Sequence, residues 1–349
     1  VLEQVWRANP NHPGAAHYLI HSFDHPSLAD KGLAAARAYA GIAPQVPHAL
    51  HMPSHTFIRR GLWDEAIKAN LASAEAARAY AAQYHPGAAS FEELHALDYL
   101  VYAYLQTAQV EEAKAIADRV ANMTKTHPES DFAVAYAMGA IPARLVLERQ
   151  AWKEAAVLPI PSRPFWAQFS FAEAHLEFAR ALGRTRVGDL AGARTSIERL
   201  AQLRDAVTGS RFAYFRKHID VQVQAASGWL AAGDGRRDEG LQLLRQAADL
   251  EDALGKHPVS PGAVYPVREL LGQVLMDANR FDEALAAFEA SLELNPGRFA
   301  AVDGAGRAAE KAGKTDVAVK YYRQLLALGD TVEPDQDPSL RHARSFLDR

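Results

Sequence analysis

Phe281-Asp-Glu-Ala284-Leu-Ala-Ala-Phe288-Glu-Ala-Ser291-Leu-Glu-Leu-Asn-Pro296, preceded by Leu271-Gly272, is the stretch that decides the fold. A small residue stands where two helices would touch, an aromatic fills the gap between them, and Pro296 ends the second helix. The unit spans about residues 265–298. The unit that follows, 299–332, keeps Gly306, Gly313, Ala318 and Tyr322 at matching offsets.

This pattern resembles the tetratricopeptide repeat, a helical hairpin with a fixed period. Working backwards, Gly228, Gly240, Leu244 and Ala247 fit a repeat at 221–254. Gly188, Leu190 and Ala193 fit one beginning near Ala174, Trp152 and Ala155 a degenerate one near Tyr136, and Val110 and Ala113 one near Leu94. Gly61, Trp63 and Ala66 give a repeat over 47–80. Gly32, Ala36 and Pro44 give one over 13–46, although Tyr39 stands where the family usually has a small residue. Between repeats, Gln83 to Ser90, Thr126 to Ser130, Leu158 to Pro164 and Lys256 to Tyr265 each contain proline and read as loops.

The resemblance implies an all-α, right-handed superhelix of about eight hairpins, several degenerate, with the first helix of each lining the concave wall. Five segments follow. Residues 1–12 are the tail of a preceding repeat, 13–125 histidine-rich repeats, and 126–220 degenerate ones. Residues 221–332 are regular repeats with a loop at 255–265, and 333–349 form a cap. Because the chain opens on Val1 inside a repeat, we expect it to be part of a longer protein.

Composition excludes several function classes. The net charge of −4 and the lack of a basic stripe argue against nucleic acid as a partner. Cysteine is absent, which removes disulfides, thiolate metal sites and Cys-x-x-Cys-His haem attachment. No apolar run is long enough to span a membrane. Alanine and arginine richness points to a GC-rich bacterial source, with cytoplasm and periplasm both left open as its compartment.

Function is suggested by histidine spacing. His17/His21 and His51/His55 each read His-x-x-x-His, so both rings of a pair leave one helical face, one turn apart. The second pair follows the first by one full repeat. The histidines therefore recur at the fifth and ninth positions of successive first helices, positions that in this family face the groove. Packed helices lie ~8–10 Å apart, so four imidazoles converge and can close on one ion at ~2.0–2.1 Å. We expect His17, His21, His51 and His55 to hold a divalent transition metal, zinc or copper. Asp24 or Asp98 would orient a ligating ring. His95, Asp98 and Tyr102, on the next first helix, are the candidate catalytic residues, handling protons beside a metal-bound water. His48 reads as a helix-start residue, His12 and His25 as turn residues, and His85 as a loop residue able to fold over the groove.

Neither pair contains the embedded Glu of zinc proteases, and no phosphate-binding glycine loop is present. The loop Lys256-His257-Pro258-Val-Ser-Pro-Gly262 is unusual between two regular repeats; it either only connects them or reaches into the groove, in which case His257 is its reactive member. Arg59 and Arg60 end the second inner helix, where a solvated helix end and an anion-holding pair explain them equally well. A small molecule or peptide in the concave groove is the expected partner. The competing account is a non-catalytic scaffold whose groove binds a peptide or protein, the common role of this family. Against it, the usual carboxylate-gripping lysines and asparagines are missing from the fifth and ninth positions of the first two repeats.

Overall fold

Each apolar helix face in this chain finds its partner on the next helix in sequence, and the result is a solenoid. The computed structural model describes residues 1–349, the side chain of Pro164 excepted. After a short first helix, Leu2–Ala8, eight hairpins follow. Their first helices are Pro13–Ser22, the pair Pro47–His51 and Pro53–Arg59, Phe91–Gln106, Phe132–Glu148, Ser170–Arg186, Ala213–Gly233, Val267–Asp277 and Phe299–Lys311. Pro338–Leu347 caps the far end. No helix of the described residues is long and apolar enough to cross a membrane.

The repeat at 281–296 explains the packing. A Cβ added to Gly272 would lie 2.6 Å from the Phe288 ring, and one added to Gly304 would lie 2.5 Å from it. Phe288 is thus clasped between the first helices of two successive repeats. Gly306 and Tyr322 repeat the arrangement one unit on. The middle repeats start earlier than their motifs suggest, at Phe91, Phe132, Ser170 and Ala213, because their inner helices carry extra N-terminal turns. The fourth hairpin is degenerate as expected, its second helix shrinking to Trp152–Ala156.

Two of the proline loops pair with each other. Ala89 and Ser90 form a short parallel ladder with Thr126 and His127. The loop after Leu254 turns inward: the Tyr99 hydroxyl donates to Ser260 O at 3.1 Å, and Arg144 Nη1 donates to Ala263 O at 2.8 Å.

The array also closes on itself. Trp63 Nε1 donates to Gly297 O at 2.9 Å, and Phe299 N to Gln106 Oε1 at 2.9 Å. Leu328, near the far end, packs against the core of the first repeats. Arg298 reaches across to Tyr102 and Glu148.

Because Phe288 has a glycine on each side, it cannot retreat from one without striking the other. Gly272→Ala should therefore destabilise the protein by ~1–3 kcal/mol through overpacking, despite the ~1 kcal/mol that alanine gains in helix propensity. A thermal melt tests this, and an unchanged or raised midpoint would show that the ring has room to move.

Candidate metal centre

The first inner helix starts at Pro13, with the His12 ring as its cap, Nδ1 accepting from Ala15 N at 3.2 Å. It presents His17 and His21 toward the second inner helix, which Pro53 divides. Pro53 has no N–H to return to residue 49, so the chain bends at Met52 and restarts. His51 ends the first piece and His55 lies in the second. The third inner helix is capped by Ser90 Oγ, which accepts from Glu93 N at 3.1 Å, and carries His95.

These helices gather six imidazoles. His51, His55 and His95 place one ring nitrogen each within 4.8 Å of one another, and so do His17, His21 and His48. The two groups adjoin, with the rings of His21 and His55 5.4 Å apart and those of His48 and His51 6.3 Å apart. His48, read as a helix-start residue, stands over His17 at 5.0 Å. Its place follows from helical spacing, since it lies one turn before His51 on the same face.

The tautomers of His51 and His55 are fixed by their neighbours. Asn70 Nδ2 donates to Ala66 O at 2.8 Å, so Oδ1 faces His51 and accepts its Nδ1–H at 2.6 Å. Asp24 Oδ2 accepts the Nδ1–H of His55 at 3.0 Å. Both protons are thereby committed to Nδ1. The two Nε2 atoms, left with lone pairs, face each other at 3.1 Å. Such a pair repels unless a proton or a metal ion lies between. Two nitrogens bound tetrahedrally to one ion at ~2.0–2.1 Å stand ~3.3 Å apart. His21, His48 and His95 make no side-chain hydrogen bond among the described residues, and His17 Nδ1 meets the Tyr39 hydroxyl at 3.4 Å. Tyr39, the departure from the repeat pattern, thus serves the cluster.

Burial disfavours the charged form of every one of these rings, and their mutual repulsion adds to it. It holds His48 and His55 down to about 4 and His51 and His95 well below the ordinary histidine value. His17 and His21 are lowered too. At neutral pH the cluster is therefore a set of uncharged nitrogen donors. Burial pushes the Asp24 carboxyl up, but Lys256, His55 and Arg59 together outweigh it and keep the group ionised.

The remaining candidates lie elsewhere. Asp98 is buried and faces Arg144 Nη2 at 3.5 Å, and burial raises its carboxyl to about 6. The Tyr102 hydroxyl accepts from Arg298 Nη1 at 3.3 Å, and its ring packs edge-on against Trp63. The contacts of Asp98 and Tyr102 are thus with arginines, whereas His95 joins the imidazoles. Ser54 follows the broken turn, yet its hydroxyl donates to His51 O at 2.7 Å. His85 stacks on His127 at 3.4 Å instead of folding over the groove, and Arg60 pairs with Asp30 on the exterior. His257 sits among Phe132, Tyr214 and Phe215. Asn70 was beyond sequence reasoning, because it lies on the second helix of its repeat and has no motif.

Residues 269–333 match the family model of the tetratricopeptide repeat. This stretch carries tetratricopeptide repeats. Among solved structures it is similar to the TPR domain of P58(IPK), with 14% identity, a TM-score of 0.31, and 99% of this chain and 92% of that one covered. It is also similar to a chain of Naa15/Naa10 bound to HypK-THB, with 13% identity, a TM-score of 0.27, and 95% and 60% covered. No curated protein matches it. The regular TPR units lie at the C-terminal end, whereas the histidines occupy the first three hairpins.

Histidines held below their ordinary value make stability depend on acid pH. The unfolded chain takes up these protons near 6.5 and the folded chain only near 4, so stability is complete above the first value and lost as pH falls toward the second. His55 and His218, both buried and both held at about 4, should each contribute a slope of about 1.4 kcal/mol per pH unit in that window. Urea midpoints measured from pH 7 to 4 should fall steadily; a flat profile would contradict burial of neutral rings.

Proposed function

We propose that this TPR protein binds a transition metal, zinc or copper, through the histidines of its first three repeats. His51, His55 and His95 form the inner site, and His17, His21 and His48 an outer one beside it. The observation that carries this reading is the pair of facing Nε2 atoms, 3.1 Å apart, with both Nδ1 protons held by other acceptors. A cation between them converts a repulsion into two bonds. Asn70 and Asp24 then act as the orienting groups that metal-bound imidazoles require. Imidazole donors without thiolate suit zinc and copper.

A peptide-binding scaffold is the alternative that the repeats themselves suggest. It is less favoured because the 255–265 loop and the Arg298 ion pairs occupy the interior that an extended peptide would need. The metal would supply Lewis acidity or an activated water at its open position, and the protein's part is to hold uncharged donors in a fixed geometry.

Elemental analysis of protein purified without a metal-affinity tag tests the proposal. One to two equivalents of zinc or copper are expected. His51→Ala/His95→Ala should remove the inner ion, and Asn70→Leu, which keeps all six imidazoles, should weaken metal binding by ~10–100-fold. Absence of metal, with a melting temperature indifferent to added zinc or copper, would overturn the reading.

A further inference from the structure

We propose that the cleft between the Asp24 turn and the 255–266 loop binds a small oxyanion, a carboxylate or phosphate ester, carried on an apolar body. The cleft holds about 190 Å³ and is lined on one side by Arg59 and Lys256 and on the other by Tyr136, Tyr214, Phe215 and His218. The metal proposal does not use it, and the inference stands whether or not the histidines hold an ion.

Charge is the first argument. The side chains of Arg59 and Lys256 are only 10% and 6% exposed, and both rest on the one carboxylate of Asp24. Arg59 Nε donates to Oδ1 at 2.9 Å, and Lys256 Nζ donates to Oδ2. Oδ2 also accepts from His55. Two buried cations therefore share one anion, and buried charge without a partner is costly. The other acids at the cleft do not correct the imbalance. Asp252 is engaged by Arg268 at 2.7 Å, a partner it shares with the exposed Asp249 at 2.6 Å. Glu251 accepts from Val267 N at 2.8 Å, and burial pushes its carboxyl up to about 8, so it is mainly uncharged at neutral pH. At the Asp24 turn, then, two buried cations have a single charged partner among the described residues.

Unused donors are the second. Arg59 spends only Nε on Asp24; among the described residues neither Nη has a partner, which leaves a planar fork suited to two oxygens of one anion. Across the cleft, His218 is 8% exposed, and its buried Nε2 likewise has no partner. Its ring lies parallel to that of Tyr214. The aromatic wall gives an apolar body a place to lie once the fork has taken its charged end.

The test is calorimetric titration of the full chain with benzoate, phenyl phosphate and inorganic phosphate, with neutral benzamide as reference. Benzoate or phenyl phosphate should bind at least tenfold more tightly than benzamide, and whichever of the two is tighter names the oxyanion. Inorganic phosphate, lacking the apolar body, should bind more weakly than phenyl phosphate. Arg59→Met should reduce anion affinity at least tenfold, while Arg60→Met, on the exterior, should leave it unchanged.

Because altering Arg59 can disturb Asp24, a second readout uses the unaltered protein. Saturating phenyl phosphate should slow reductive methylation of Lys256 at least tenfold, followed by peptide mass spectrometry. Anions that bind no better than benzamide, or that leave Lys256 equally reactive, would overturn the inference. So would anion binding that disappears with the metal, measured on the same samples, yet is indifferent to Arg59→Met. Absence of metal from the protein with the Arg59 dependence intact would sink the metal reading and leave this one standing.

Discussion

The architecture depends on one buried guanidinium. Arg298, 1% exposed, sits between Glu148 and Glu269 and donates to the Tyr102 hydroxyl, so residues of the third, fourth and seventh repeats meet on a single side chain. Removing charges from water costs several kcal/mol per ion, and only good geometry with further hydrogen bonds recovers it. Here two carboxylates, a phenol and the Tyr102 ring face supply that geometry. Tyr102, which Arg298 holds, lies against Gly262 of the inward loop, and the loop in turn brings Lys256 to Asp24. The orientation of His55 therefore depends on contacts made near the opposite end of the chain.

The histidine cluster and the cleft meet at Asp24. Its carboxylate accepts from His55 on one side and from Arg59 and Lys256 on the other. A ligand drawing on the two cations would leave Asp24 a stronger acceptor for His55, and an ion on His55 would make that ring a stronger donor. The two proposed functions are then coupled, and by linkage each must affect the other equally.

What the sequence revealed was whatever recurs with the period of the hairpin. The clasp of Phe288, the order of the hairpins and the convergence of His17, His21, His51 and His55 on one wall all follow from local spacing. His48 stands three residues before His51 and so on the same helical face, but its place at the start of the helix made it read as a terminal residue. Asp98 and Tyr102 share the phase of the ligand positions, but phase says only which way a side chain points. Arg144 and Arg298, brought in from distant repeats, decide what each one meets. Asn70 and the closing contacts have no periodic signature, since they join segments whose pairing emerges only once the chain has curled.

That closure also changes how the array should come apart. An open solenoid behaves as a one-dimensional chain in which terminal units fray and loss spreads inward. In this molecule the first repeats are tied to the last by Trp63 and Gly297, so neither end is free to fray alone. Contacts of such long sequence separation slow folding, because the loop must close before they can form. They also make unfolding more nearly all-or-none, so a fault in the C-terminal repeats would be felt among the histidines.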